Sequence, residues 1–403
     1  FHIHSHYSIA TSKLLKPEYL HYWAKLKGLT VIGTGDCIHP GWSKELSEKL
    51  APIGNGLFKL KEKYILKDMI VPDSCKHIEP LFILTGELSS IYKKNEKVRK
   101  IHNLVVFPDF ESCQKVQTKL DAMGNIRSDG RPILGIDAKN ILEMTLESND
   151  KSFLVPCHIW TPWFSLLGAK SGFNHPKECY EDLTKHIFAV ETGLSSDPPM
   201  NWMCSFLDNF QLISNSDAHS PDKLGREANI FECEQSYDAI YNALKNDNGF
   251  IGTVEFYPQE GKYHYDGHRN CKICWNPTET RTNNGICTVC EKEVTKGVMH
   301  RVYECKDRES KNIKNKKFFS KTSLIELIAE IMGKKPIAKS VKEAYHKTIE
   351  KLGPEMEILI TKDLSEIENL DKPLKNSIEK LRNGKVKITE GFDGEFGTIR
   401  VHV

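Results

Sequence analysis

Up to about residue 255 the chain repeats one pattern, in which a short run rich in Val, Ile, Leu and Phe gives way to a helix-like or loop stretch. The runs are Leu29 to Gly33, Leu81 to Thr85, Leu104 to Phe107, Phe153 to Pro156, Ile187 to Val190 and Gln211 to Ser214. Such alternation predicts an α/β fold. Most runs close on a side chain with affinity for metals: Asp36 after the first, Glu87 after the second, His158 after the fourth, Glu191 after the fifth, and Asp217 with His219 after the sixth. Metal-binding groups at the carboxyl ends of successive strands describe the top face of a β/α barrel. No glycine-rich phosphate fingerprint opens a helix, as an open doubly wound sheet would offer. A barrel over residues 1–260 is the expected core of the protein.

From Gly261 the pattern changes to Lys, Asn, Gly and paired cysteines, predicting a small module over 261–305, and a polar run from Lys306 to Lys317 reads as a linker. Farther on, Leu324, Leu327, Ile328 and Ile331 form one stripe of an amphipathic helix closed by Gly333. A second helix is expected with Ser340 as N-cap, carrying Val341, Ala344, Tyr345 and Leu352 and ending at Gly353 and Pro354. The tail from Lys385 to Val403 alternates around Gly391, Gly394 and Gly397, as short strands joined by a turn would. Residues 306–403 are thus expected to form a basic, mainly helical region.

Composition adds an asymmetry to this division. The net charge is +2, yet residues 1–260 carry 28 Lys and Arg against 33 Asp and Glu, whereas residues 261–403 carry 28 against 21. The basic half points to a polyanionic partner. Hydrophobic residues at 39% supply a sizeable core, and no run approaches the ~18 apolar residues of a membrane helix. The expectation is a soluble, cytoplasmic protein without a membrane partner, and one whose first strand begins a few residues before Phe1. Seven of the 12 cysteines are scattered through the first part, which argues against a secreted disulfide framework.

His2 and His4 flank Ile3, so on a strand both imidazoles face one side, roughly 7 Å apart. Asp217 and His219 repeat the spacing at the other end of the pattern, and Asp36, Glu87, His102 and His158 each fall beside an expected strand boundary. Imidazole with carboxylate suits zinc, manganese or iron, and Glu87 is a candidate to bridge two ions. Ions so held lower the pKa of bound water from ~15.7 towards ~7 and neutralise charge on phosphoryl oxygens, which is the chemistry of phosphate-ester hydrolysis.

These residues resemble the motifs of the polymerase and histidinol phosphatase (PHP) superfamily: His2-Ile3-His4-Ser5, Gly33-Thr34-Gly35-Asp36, the Glu87 strand, Cys157-His158 and Ser216-Asp217-Ala218-His219. Within it, His39-Pro40-Gly41-Trp42, His158-Ile159-Trp160-Thr161-Pro162-Trp163, the segment from Glu191 to Trp202, the cysteine module and Gly391 to Gly397 resemble the endonuclease Q branch almost end to end. The resemblance implies a distorted barrel of seven β/α units with two or three divalent ions (Zn, Mn or Mg). It implies metal ligation by His2, His4, Asp36, Glu87, His102, His158, Asp217 and His219, with Asp217, His219, Glu87 and His158 acting in catalysis. It further implies nicking of DNA on the 5′ side of deaminated bases (uracil, hypoxanthine, xanthine) and abasic sites, in the company of other repair or replication proteins. Where many relatives have a further histidine and an Asp-His pair, this chain has Ala10 and Asp36-Cys37, so His6 or His39 is left to complete a third ion's shell.

Cys271-x2-Cys274 and Cys287-x2-Cys290 present two knuckles, the arrangement of a closed structural zinc site, with His268 and Cys305 surplus to it. A base read by such an enzyme must leave the stack. Trp160, Trp163, Phe164 and Trp202 are expected to stack on it or on its neighbours, and Ser195, Ser196 and Asn201 to hydrogen-bond its edge. Two other functions fit the same barrel, a phosphatase for small phosphate esters and a non-catalytic DNA-binding subunit. The zinc module and basic region favour an enzyme that holds a long polyanion.

Overall fold

The structure, a computed structural model, describes residues 1–367 and 370–402; Val403, the end of the expected tail, lies outside the described residues. The apolar runs become strands Val31–Gly33, Leu81–Lys94, Lys97–Phe107, Phe153–Pro156, Ala189–Glu191 and Gln211–Ile213. In the largest sheet, Leu50–Pro52, Phe58–Leu60, Leu81–Lys94, Lys97–Phe107 and Phe153–Pro156 lie side by side. Val31–Gly33 runs parallel to the start of Leu81–Lys94. Ala189–Glu191 and Gln211–Ile213 form a separate parallel pair. The two ends of this region meet where Ile3 bridges Ala218: the His4 amide donates to the Ala218 carbonyl at 3.2 Å, and the Asp217 amide to the His2 carbonyl at 3.0 Å. Helices Phe110–Met123 and Ala138–Ser148 bury Val116, Leu120, Ile141 and Leu142 against the sheet.

Two features depart from the expected distorted barrel of seven β/α units. Leu104 to Phe107 is only the end of an 11-residue strand that runs antiparallel to Leu81–Lys94. Asn95 and Glu96 make the turn, with φ of 53° and 60°; two left-handed residues match the twist of a tight hairpin. The polar Ser89 and Ser90 hid this length in the sequence, yet both are buried because Ile133–Leu134 pairs alongside them. Secondly, among the described residues no ladder joins Phe153–Pro156 to Ala189–Glu191, so the hydrogen-bonded ring does not close. The architecture is mixed α/β.

The segment expected as a free linker is laid against the first part. Arg308 clamps Asp208 with two bonds of 2.7 and 2.6 Å, Lys314 donates to the Phe210 carbonyl at 3.0 Å, and Lys316 reaches the Phe250 carbonyl and, at 2.5 Å, Asp247. Lys317–Ser320 then pairs in parallel with Phe250–Glu255, adding a strand to the sheet of the first region. Helix Leu324–Ile331 starts at Ser323, whose side chain and Glu326 form a capping box. The next helix, Lys339–Leu352, starts one residue before the expected cap, because the Ser340 hydroxyl accepts from Lys334 instead of capping. Both pack with Tyr22 and Leu26 of helix Pro17–Lys27 in one core. A buried ion pair of 2.6 Å, Lys27 to Glu355, seals that contact. Strands Lys387–Thr389 and Thr398–Arg400 form the expected terminal hairpin.

Candidate active site

Glu87 is the hub. It lies in mid-strand, and antiparallel pairing sets His102 opposite Ser89, on the face that Glu87 shares. One carboxylate oxygen, Oε1, lies 2.5 Å from His102 Nδ1 and 3.3 Å from His158 Nε2. The other, Oε2, lies 3.3 Å from His2 Nε2 and 3.4 Å from His4 Nε2. Asp217 Oδ1 joins this second group, 2.9 Å from His4 Nε2 and 3.7 Å from His2 Nε2. Two donor clusters result, Glu87 with His102 and His158, and His2 with His4 and Asp217, and each could hold a metal ion. His2 Nε2 is buried without a hydrogen-bond partner, as an atom reserved for another ligand would be.

The electrostatics of the pocket call for cations. Burial pulls the His4 imidazole down, but the Asp217 and Asp36 carboxylates bonded to it push it up to about 10. Burial draws His102 down to about 4, against the pull of Glu87. Glu87 is held well below the carboxylate range, since His102 and His2 outweigh the cost of its burial. Asp217 and His158 turn through left-handed backbone, φ 46° and 29°, which aims both side chains off their strand ends. Gly193 makes the His158 bend possible: a Cβ there would stand 2.4 Å from His158 Cβ.

Other expected residues lie elsewhere. Asp36 stands behind His4, its Oδ1 3.2 Å from His4 Nδ1 and its Oδ2 accepting from the Ser5 amide and the Ser5 and Ser8 hydroxyls at 2.6, 2.7 and 2.8 Å, so its carboxylate is engaged by His4 and the Ser5–Ser8 loop. His219 packs on His4 with ring centroids 4.6 Å apart and bonds the Asp217 carbonyl at 2.8 Å, at the outer edge of the site. Neither substitute for a third shell reaches the pocket: His39 caps the helix at Trp42 and bonds the Arg127 carbonyl, and His6 bonds Glu45.

Three expected base contacts are interior groups. Trp160 is fully buried and donates to Asn201 Oδ1 at 2.8 Å, while the Asn201 amide donates to Ser196 Oγ, whose hydroxyl bonds the Thr192 carbonyl. Trp202 packs edge-on against Phe318 of strand Lys317–Ser320. Ser195 is half-buried. Trp163 alone of the three tryptophans is open, 52% exposed, with the Lys100 ammonium 5.1 Å from its ring. Phe164 beside it packs on His102 with centroids 4.7 Å apart, which places this rim at the mouth of the pocket.

From sequence, Asn215 and Arg131 have no role, and Glu191 stands out only as a metal-liking side chain at a strand end. Buried Glu191 accepts from His2 Nδ1 at 3.0 Å, the His158 amide at 2.7 Å and Asn215 at 2.8 Å, so one carboxylate holds a residue of each cluster. Its place at a strand end was the available signal. In the cysteine module, the four groups brought within 4.8 Å of one another are His268, Cys271, Cys287 and Cys290. Cys274 lies instead in strand Ile273–Trp275, opposite Gly267. His268-x2-Cys271 has the same spacing as Cys287-x2-Cys290, a signal the cysteine count concealed. Burial works against ionisation of Cys287, yet the Val289 and Cys290 amides draw its thiol down to about 6, the state that binds metal.

The MJ0043 C-terminal domain family matches residues 323–385, the helical region that packs on helix Pro17–Lys27. The uncharacterized protein MJ0043 of Methanocaldococcus jannaschii is 32% identical over 249 residues, 60% of this chain, and the match spans 31% of its own length. The uncharacterized protein YqxK of Bacillus subtilis is 28% identical over 93% of this chain and 89% of its own. The lesion-specific endonuclease PfuEndoQ of Pyrococcus furiosus superposes with a TM-score of 0.86 at 31% identity, covering 100% of this chain and 94% of that one. Endonuclease Q in complex with a 27-mer duplex bearing an abasic lesion at the active site superposes with a TM-score of 0.83 at 31% identity, over 100% and 95% of the two chains. With both donor clusters, the cysteine module and the terminal helices inside one alignment that runs the length of the chain, the protein belongs to the endonuclease Q family.

Proposed function

We propose that the protein is a metal-dependent DNA endonuclease that hydrolyses the phosphodiester on the 5′ side of a damaged nucleotide, at abasic sites and at deaminated bases. The observation that carries the reading is the Glu87 carboxylate, whose two oxygens face two separate donor clusters. That is the arrangement of a carboxylate bridging a pair of divalent ions such as zinc or manganese. Ions bound there would lower the pKa of a bound water towards ~7 and supply charge to offset the developing phosphoryl anion. His2, His4 and Asp217 would hold one ion and His102 and His158 the other, while Glu191 and Asp36 would fix the ligating imidazoles. A distorted PHP-type barrel is the reading of the fold that agrees with the parallel strand pairs and the Ile3–Ala218 bridge. On the rim, Trp163 and Lys100 offer a ring and a cation to a nucleotide beside the lesion. The 261–305 module carries structural zinc on His268, Cys271, Cys287 and Cys290, and its Arg301 docks it on the loop after His158 through the Leu167 and Phe173 carbonyls.

The test is a nicking assay on duplexes containing an abasic site, uracil or no lesion, with metal-loaded wild type and Asp217→Asn. Wild type is expected to nick the first two. The variant is expected to bind the abasic duplex with affinity within threefold of wild type and to lose at least 10³-fold in cleavage. Undiminished turnover in the variant would refute the assignment, and cleavage at abasic sites alone would remove the deaminated bases.

A further inference from the structure

Arg131 lies at the pocket's edge with no role in the fold's own interactions beyond one contact. Its Nη1 donates to Glu87 Oε2 at 3.3 Å, the carboxylate oxygen that faces His2 and His4. No other guanidinium N–H takes a protein acceptor among the described residues, and the side chain is 29% exposed. The backbone that delivers it is fixed on both flanks. Asp129 Oδ1 accepts from the Ile9 amide at 3.2 Å and from the Arg131 amide at 3.1 Å, and the Gly130 amide donates to the Tyr7 carbonyl at 3.1 Å. Gly130 sits so close to the Ser5–Ile9 loop that a Cβ would stand 2.2 Å from Asp36 Oδ2. On the other side the Ser89 amide donates to the Pro132 carbonyl at 3.0 Å, and Ile133 pairs with Ser89, two residues along the strand from Glu87. A guanidinium has been set rigidly beside the pocket's central carboxylate, with most of its donors unspent.

Resting on the endonuclease reading, we propose that Arg131 is a catalytic residue that grips the non-bridging oxygens of the scissile phosphate. A phosphodiester bears one negative charge. As the attacking oxygen bonds to phosphorus and the bond to the leaving oxygen breaks, that oxygen departing as an alcohol with a proton from water, charge accumulates on those same oxygens. A planar fork of N–H groups matches two phosphate oxygens at once, and unlike lysine it stays charged throughout. Its contact with Glu87 holds the fork in place until a phosphate arrives. Lys100, the other cation at the rim, is turned to the Trp163 and Phe164 rings and so serves the flanking nucleotide instead.

The experiment compares metal-loaded wild type, Arg131→Gln and Arg131→Lys by three measurements: metal content by elemental analysis, calorimetric binding of inorganic phosphate, and single-turnover nicking of an abasic duplex. Arg131→Gln is expected to keep its metals, to bind phosphate at least tenfold more weakly, and to nick about 10²–10³-fold more slowly. Arg131→Lys is expected to restore part of the phosphate affinity and little of the rate. Loss of metal from Arg131→Gln would overturn the proposal, making Arg131 a positioning residue for Glu87, and so would unchanged phosphate binding or unchanged nicking. Phosphate binding that depends on Arg131 in a wild-type protein that nicks no damaged duplex would uphold the phosphate grip and remove the endonuclease reading.

Discussion

Trp160 and Trp163 are three residues apart, and replacing each with alanine separates stability from recognition. Trp160 is fully enclosed, so its removal leaves a cavity of indole size, a loss of about 3–5 kcal/mol. It also deprives the buried Asn201 Oδ1 of its donor, a further ~1–3 kcal/mol. Together these approach the ~5–15 kcal/mol that holds a typical domain folded, so Trp160→Ala is expected to unfold or to melt far below wild type. Trp160→Phe keeps most of the ring volume and loses the hydrogen bond, and per folded molecule it should cleave normally. Trp163 has little packing to lose, and the contact of its exposed ring with half-buried Lys100 is worth about 0.5–1 kcal/mol. If it stacks on a nucleotide, its loss removes about 1–3 kcal/mol of binding, a fall of roughly 5- to 150-fold in cleavage at low DNA concentration. Thermal unfolding followed by nicking below every transition reads both effects. Normal cleavage by Trp163→Ala, with a selective defect on uracil-containing DNA in Trp160→Phe, would refute the assignment and return recognition to the buried ring.

Two other expectations test different parts of the molecule. His268→Gln should hold one zinc fewer per chain than wild type and render residues 261–305 sensitive to protease, whereas Cys274→Ser should match the wild-type zinc content by elemental analysis; the reverse pattern would restore the four-cysteine site. Burial raises the Glu255 carboxyl from 4.5 to about 8 even though Thr192 and Ser214 donate to it. Between those values the folded protein holds a proton that the unfolded chain has released, so Glu255 lowers stability as pH rises through that window. Glu255→Gln should therefore melt close to wild type near pH 4.5 and increasingly above it by pH 8, and a gap independent of pH would show that the carboxyl is not protonated in the fold.

Much of the site was legible because strand alternation and strand ends obey local rules. His2 with His4, and Asp217 as the start of a repeat of that spacing, converge as their positions implied. What remained hidden depended on pairing between distant segments. Glu87 is a candidate bridge from sequence, but only the hairpin that continues past Ser89 and Ser90 explains why His102 is its neighbour. The tryptophans were misjudged for a related reason: sequence places Trp160, Trp163 and Trp202 in similar loops, and burial alone distinguishes the first from the second. Arg131 follows an Asp-Gly turn like many surface arginines, and nothing local relates residue 131 to residue 87.

The charge asymmetry shows how a correct count can mislead about a surface. The excess of cations in residues 261–403 suggests a large face for phosphates, but many of those cations are engaged by the protein itself. Arg301 bonds carbonyls of the loop after His158, Arg308 pairs with Asp208, and Lys314 and Lys316 reach carbonyls of the first region. Arg382 bonds the carbonyls of Ile358, Leu359 and Lys362, and Lys321 is buried near Glu355. A charge engaged with a backbone carbonyl or a carboxylate contributes little to counterion release when DNA binds. Arg301, Arg308, Lys314 and Lys316 therefore fasten the C-terminal half to the first region, along the loops and strands that carry His158 and Glu255, while Arg382 and Lys321 hold the C-terminal half to itself. Affinity for DNA then rests on fewer, better placed groups, of which Lys100 over Trp163 and Arg131 beside Glu87 are set nearest the chemistry.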